Sequence, residues 1–249
     1  MAGVPPARKS RMAIFGGSFN PVHNGHLHLA GELVRRGLTD EVLFVPAGRS
    51  PFKSADQEAT TRHRYAMLEQ VLKPYSEFTL SDIELQRLPE PSYTIDTMNT
   101  LSRFFPEYDL FFLMGMDSFR DLAKWHRATE LVTHHRFLIF PRPGIAPPPY
   151  AVLRSEFGDE TARRLLKSVI DSTPLPIAAR DVRAHAAAGR TLAGLVPAAV
   201  TDYLRTQPIY RAQEEADRSE PGSECANQPP YPTSPGETRT SPGGTQALS

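Results

Sequence analysis

Short runs that are apolar at every position alternate along this chain with segments that are apolar on one face only. "RMAIFGG", "EVLFVPAG", "DLFFLMG" and "RFLIFPRPG" are of the first kind, and "FTLSDIEL" and "LPIAA" are read with them as strands. "GHLHLAGELVRRG" carries Leu27, Ala30, Leu33 and Val34 at helical spacing and stops at Gly37. "TTRHRYAMLEQVL" predicts a helix opened by a threonine cap, "SYTIDTMNTLSRFF" one ended by Pro106, and "DSFRDLAKW" one capped by Asp117. "DETARRLLKSVI", "RDVRAHAAAG" and "PAAVTDYLR" complete the helices. Strands without a polar face, each followed by an amphipathic helix, require cover on both sides of a parallel sheet. The expected fold is therefore α/β, a Rossmann-like open parallel sheet with helices on both faces. In such a sheet, ligands gather at the carboxyl ends of the strands.

Composition bounds this picture without redirecting it. The 249 residues are 40% hydrophobic, enough for one core. We expect a domain over residues 11–210. Residues 1–10 and the tail 211–249, rich in Pro, Gly, Ser and Thr, lack the apolar surface to offset their ordering entropy and are expected to be disordered. The formal net charge is zero, which offers no global field for nucleic acid or an anionic membrane, and no apolar run reaches a membrane-spanning length. The single cysteine, Cys225, excludes an internal disulfide framework and a cysteine-based zinc site. A cytoplasmic protein is the expectation. The oligomeric state stays open, a homo-oligomer included.

The chemistry concentrates in "FGGSFNPVHNGHLHLA", residues 15–30. Gly16 and Gly17 end the first strand and are read as a turn that takes positive φ and approaches a ligand closely. A helix then starts near Gly25 or His26, and its free N–H groups suit an anion. Neither the dinucleotide fingerprint nor a Walker loop is present. His23 and His26 have the spacing of two zinc ligands, but no third stands at a recognisable distance. Turn histidines can also cap or pack. Imidazoles between a glycine turn and a helix N-terminus can instead donate hydrogen bonds to phosphate oxygens as charge builds in a transition state.

"GGSFNPVHNGHL" resembles the signature of nicotinate-nucleotide adenylyltransferases, in the superfamily with the H-x-G-H motif. Further matches follow in order: "SPFK" (residues 50–53), "SYTIDTM" (92–98), "GMDSFRDLAKWHRATEL" with "FPRPG" behind it, and "LVPAAVTDYLRTQPIY" (195–210). The resemblance covers roughly residues 11–210. It implies transfer of AMP from ATP to nicotinate mononucleotide, with Mg²⁺ and no covalent enzyme intermediate, late in NAD synthesis.

It also implies roles for matched positions. Gly16, Gly17 and Ser18 would border the nucleotide phosphates. His23 and His26 would contact the triphosphate and serve as catalytic residues, His26 at the α-phosphate. Lys53 would meet the mononucleotide phosphate, Thr94 and Trp125 the pyridine ring, and the N–H groups near Trp125 and His126 its carboxylate. Asp117 would touch ribose or cap its helix. One segment departs from the family pattern. Where I-S-S-T-x-I-R is usual, this chain reads "IAARDVR", residues 177–183. The N–H groups around Ala178 survive that change, as does Arg183, and Arg180 would replace the lost hydroxyls at the phosphates. The rival readings are an adenylyltransferase for nicotinamide mononucleotide or phosphopantetheine, and a non-catalytic nucleotide-binding protein. Phosphopantetheine adenylyltransferases usually carry threonine where His23 stands and lack the "SYTIDT" and tryptophan segments.

Overall fold

Five strands form one sheet in the order β3-β2-β1-β4-β5, every pair parallel. They are β1 (Ser10–Gly17), β2 (Glu41–Pro46), β3 (Phe78–Leu80), β4 (Tyr108–Gly115) and β5 (Arg136–Phe140). The coordinates are a computed structural model that describes residues 9–48, 60–207 and 209–210. These lie within a compact unit, Met1–Ala212; a second unit, Gln213–Ser249, lies outside the described residues, as do Lys53 and its "SPFK" segment. The expected disordered arm, apart from Lys9 and Ser10, and the expected disordered tail also fall outside them.

Alternation along each strand builds two cores. Ala13, Phe15, Val42 and Phe44 point to one face and Met12, Ile14, Leu43 and Val45 to the other, following the two-residue repeat of a pleated strand. The first face is covered by α1 (Asn24–Arg35), α2 (Thr61–Leu72), α8 (Ala179–Ala187) and α9 (Ala198–Thr206), which supply Leu33, Met67, Val182 and Val200. The second is covered by α3 (Thr94–Phe104), α4 (Met116–Arg120), α5 (Ala128–His134), α6 (Tyr150–Phe157) and α7 (Asp159–Lys167), with Met98, Phe119, Leu131, Leu153 and Leu165 buried there. Among the described residues no helix is long and apolar enough to cross a membrane.

Several local expectations are corrected. "LPIAA" is not a strand, since Pro174 precedes it, Pro176 interrupts it and α8 takes its end. The strand expected over "FTLSDIEL" keeps only three residues before a 3₁₀ turn at Leu85–Arg87. α5 and α6 were not foreseen, because the heptapeptide helix is too short for a clear period and the other follows a proline run. Thr60 occupies the N-cap of α2 without a side-chain capping bond. Asp117 does not cap its helix; Gly115 holds that position and Asp117 sits in the first turn.

β1 lies between β2 and β4, so the direction of winding reverses there and a crevice opens at the carboxyl ends of β1 and β4. Leu33, fully buried under β1, reports on the packing that holds α1 against this edge. Leu33→Ala should destabilise the fold by about 2–5 kcal/mol, read as a lower urea midpoint with an unchanged slope.

Candidate active site

Positive φ does not fall on the glycines that end β1. Gly16 and Gly17 are strand residues, and the left-handed conformation is taken by Phe19, at φ 45°. The glycines serve packing instead. A Cβ on Gly16 would stand 3.1 Å from the ring of Phe112, and one on Gly17 would stand 3.1 Å from the ring of Phe19. Phe19 tucks its ring beneath the chain that precedes it, 5.3 Å from Phe15 and 5.6 Å from Phe44 between centroids. Burial of that ring offsets the roughly 1–2 kcal/mol cost of its backbone conformation. The chain then turns through a cis Asn20–Pro21 bond and delivers His23 to the N-cap of α1.

His23 and His26 stack with ring centroids 3.6 Å apart. The His23 backbone N–H donates to His26 Nδ1 at 3.2 Å. A neutral imidazole that accepts at Nδ1 carries its proton on Nε2, so this bond selects the tautomer with a free Nε2–H donor. Phe15 and Phe19 meet the His26 ring edge-on, while one part of the side chain stays accessible. Burial pushes the His23 imidazole down from 6.5 to about 4, with the nearby Arg142 guanidinium adding to the shift and its own backbone hydrogen bond opposing it. His26 lies well below the ordinary range, by burial first and then by His23 and Arg142. Both rings are thus neutral near pH 7. Nδ1 of His23 is buried without a hydrogen-bond partner. Gly25 keeps this junction open, because a Cβ there would stand 3.0 Å from that nitrogen.

Arg142, at the carboxyl end of β5, was missed as a site residue. Its position in "FPRPG", just beyond an apolar strand, was the available signal. The guanidinium lies over the Phe140 ring, 5.4 Å from its centroid, and Nε is 3.3 Å from Asp117 Oδ1. Asp117 therefore orients a site cation, and Gly115 leaves room for the pair, since a side chain there would collide with the Asp117 carboxylate.

The next strand end carries the aromatic group. Phe112 of β4 touches Gly16 on one side and packs edge-to-face with Trp125 at 6.0 Å on the other. Tyr93, the N-cap of α3, lies 4.2 Å from His126, so Thr94, Trp125 and His126 come together beside β4. Trp125 N–H is occupied by the Leu122 carbonyl at 3.0 Å. His126 N–H has no intramolecular partner among the described residues.

α8 reaches the histidine junction through Arg183, whose Nη1 donates to the Asn20 carbonyl at 2.7 Å. Asn20 also receives the Tyr210 hydroxyl, and Asn24 is bound to the carbonyls of Gly194 and Leu195. Ala178 is the N-cap of α8 and offers no side-chain acceptor. Arg180 is exposed, with Nε 3.5 Å from Asp181. The glycine edge, both histidines and Arg183 are thus brought together, whereas Arg180 stands out in solvent beside its helix neighbour.

A family model described as cytidylyltransferase-like matches residues 14–185. A probable nicotinate-nucleotide adenylyltransferase of Thermomicrobium roseum is 36% identical over 205 residues, covering 82% of this chain and 94% of its own. One from Pseudomonas aeruginosa is 34% identical, with 81% and 98% covered. Among solved structures, the Plasmodium falciparum nicotinic acid mononucleotide adenylyltransferase complexed with NaAD superposes with a TM-score of 0.64 at 20% identity, covering 81% of this chain and 97% of that one. The same enzyme complexed with APC superposes at 0.62 and 19% identity. At these identities the structures speak for the fold alone. The sequence relatives, matched nearly end to end, carry the conclusion: this chain belongs to the nicotinate-nucleotide adenylyltransferase family of cytidylyltransferase-like proteins.

Proposed function

We propose that this protein transfers AMP from ATP to nicotinate mononucleotide, giving nicotinate adenine dinucleotide and pyrophosphate. The observation that carries the reading is the neutral His26 ring at the start of α1, whose Nδ1 accepts the His23 N–H and whose proton therefore sits on Nε2. Family membership supplies the reaction class.

A 5′-phosphate oxygen of the mononucleotide attacks the α-phosphorus in line. One P–O bond forms, the bond to the β-phosphate bridge breaks, and the electron pair leaves with pyrophosphate. No proton has to be removed from the attacking group, because a phosphate oxygen is already anionic. The site's task is then positioning and charge stabilisation. Gly16, Gly17 and Ser18 border the phosphates. His26 Nε2–H donates to the α-phosphate as charge spreads over its oxygens, and His23 and the Arg142 cation lie behind it. A neutral donor beside a fixed guanidinium requires no proton transfer during the step. The N–H groups at the start of α8, at Ala178 to Arg180, face the triphosphate, and Arg183 fixes that helix to the Asn20 turn. Lys53 meets the mononucleotide phosphate. Thr94 and Trp125 hold the pyridine ring, and the His126 backbone N–H donates to its carboxylate.

Mg²⁺ would enter with ATP and would supply charge neutralisation at the phosphates. Its preferred ligands are phosphate oxygens and water.

His26→Ala should lower kcat for pyrophosphate release by about 10²–10³-fold, measured below the melting temperature of the variant. With ATP fixed, nicotinate mononucleotide should give a higher kcat/KM than nicotinamide mononucleotide, and the phosphopantetheine substrate should give no turnover. Turnover with neither pyridine substrate, alongside ATP binding by calorimetry, would make the chain a nucleotide-binding protein only. The histidines also set a pH dependence of stability. The folded state keeps His23 neutral down to about pH 4, whereas the unfolded chain protonates it near 6.5. The unfolded state binds more protons in that window, so stability falls as pH drops from about 6.5 towards 4. His23→Gln should shrink the stability difference between pH 7 and pH 5 by about 1–2 kcal/mol, read in urea titrations at the two pH values.

A further inference from the structure

A buried arginine ties the end of β1, at the crevice, to the neighbouring end of β2. Arg64, in the first turn of α2, has only 5% of its surface exposed. Its Nη1 donates to the Ser18 carbonyl at 2.7 Å, beyond the end of β1. Its Nη2 donates to the Ala47 carbonyl at 2.5 Å and is 3.4 Å from the Gly48 carbonyl, beyond the end of β2. Thr61 Oγ1 accepts from the same nitrogen at 3.1 Å and holds the guanidinium to its own helix.

The Ala47–Gly48 segment is gripped from its other sides as well. Ala47 N–H donates to the Gly17 carbonyl at 2.8 Å. Gly48 N–H donates to Glu84 Oε2 at 3.3 Å, and Glu84 Oε1 accepts the Thr97 hydroxyl at 2.9 Å. Gly48 admits no side chain, since a Cβ would collide with the Glu84 carbonyl. Thr97 belongs to α3, whose first residue is Thr94. The contacts thus run without a break from the phosphate-bordering residue Ser18, through Arg64, Ala47–Gly48 and Glu84, to the helix that begins at the pyridine side.

We infer that Arg64 is a positioning residue for the transfer step: its planar fork holds the β1 and β2 ends in fixed register, and so sets the distance between the two bound substrates. The inference rests on the adenylyl-transfer reading above. Arg64 touches neither substrate in it. An in-line attack is sensitive to such a distance, since a displacement of about 1 Å can cost on the order of 100-fold in rate. The guanidinium fixes two carbonyl groups on separate loops because its donors diverge in a rigid plane; an ammonium also has several donors, but on one compact centre and a flexible stem it does not impose that spacing.

Arg64→Lys separates positioning from bulk structural support. Melting temperature, ATP binding alone, nicotinate mononucleotide binding alone and steady-state kcat are measured for parent and variant below the melting transition. Each half-site keeps its own groups, so each isolated affinity should stay within about threefold, while kcat should fall at least tenfold. A kcat within twofold of the parent would overturn the inference. So would a loss of kcat matched by an equal loss of affinity for one substrate, which would make Arg64 a support for a single loop. Should the lysine variant melt below the assay temperature, the same comparison on Arg64→Gln decides between these outcomes. A parent protein that failed to turn over would sink the adenylyl-transfer reading itself, a result distinct from an active parent with an equally active variant.

Discussion

The site depends on one backbone hydrogen bond, from His23 N–H to the Nδ1 of His26. Without it, the His26 ring could present either nitrogen to the crevice, as acceptor or donor. With it, one tautomer is selected, and the proton sits on Nε2. The bond forms because His23 is the N-cap of α1 and His26 stands three residues on, where a helix start brings a side chain back to the cap's own N–H. In most helices glutamate or glutamine makes that return contact. A histidine there turns a capping device into an oriented, neutral hydrogen-bond donor.

Everything around this bond keeps it dry and aimed. Phe15 and Phe19 pack against the His26 ring, and His23 covers its face. Their burial lowers both imidazole pKa values, so the donor stays uncharged and its orientation survives across the neutral range. The nearby positive charge comes from Arg142, which is held by Asp117 and the Phe140 ring at the end of another strand. Orientation and charge are thus assigned to separate side chains on separate strands. Parallel pairing of β1, β4 and β5 brings those strand ends to one edge.

The altered "IAARDVR" segment fits this division of labour. Ala178 and Ala179 provide no hydroxyl, yet α8 still begins there and presents N–H groups that have no partner among the described residues. Arg183 fastens the helix to the Asn20 carbonyl, which is three residues from His23. What the segment lost is side-chain hydrogen bonding at one rim of the crevice. What it kept is backbone direction, which depends on helix geometry and not on residue type.

The α/β class, the covered parallel sheet and the place of the glycine–histidine junction were legible from the sequence, because wholly apolar strands and 3.6-residue periodicity are local signals. The ordered motifs likewise pointed to the family. Short elements were not legible. α5 has seven residues and β3 three, too few for a period to stand out. The use of Gly16 and Gly17 was misread for a related reason: sequence shows that a glycine is present, but whether it relieves a dihedral or a neighbouring ring depends on Phe112 and Phe19 folding over it. Arg142 and Arg64 were out of reach for the same cause. Their partners lie at Asp117, Ser18 and Ala47, distant in sequence and adjacent only once the strands are paired. Local chemistry therefore determined what groups the crevice would contain. Long-range packing alone decided which of them face one another, since a side chain's role depends on contacts that chain order does not encode.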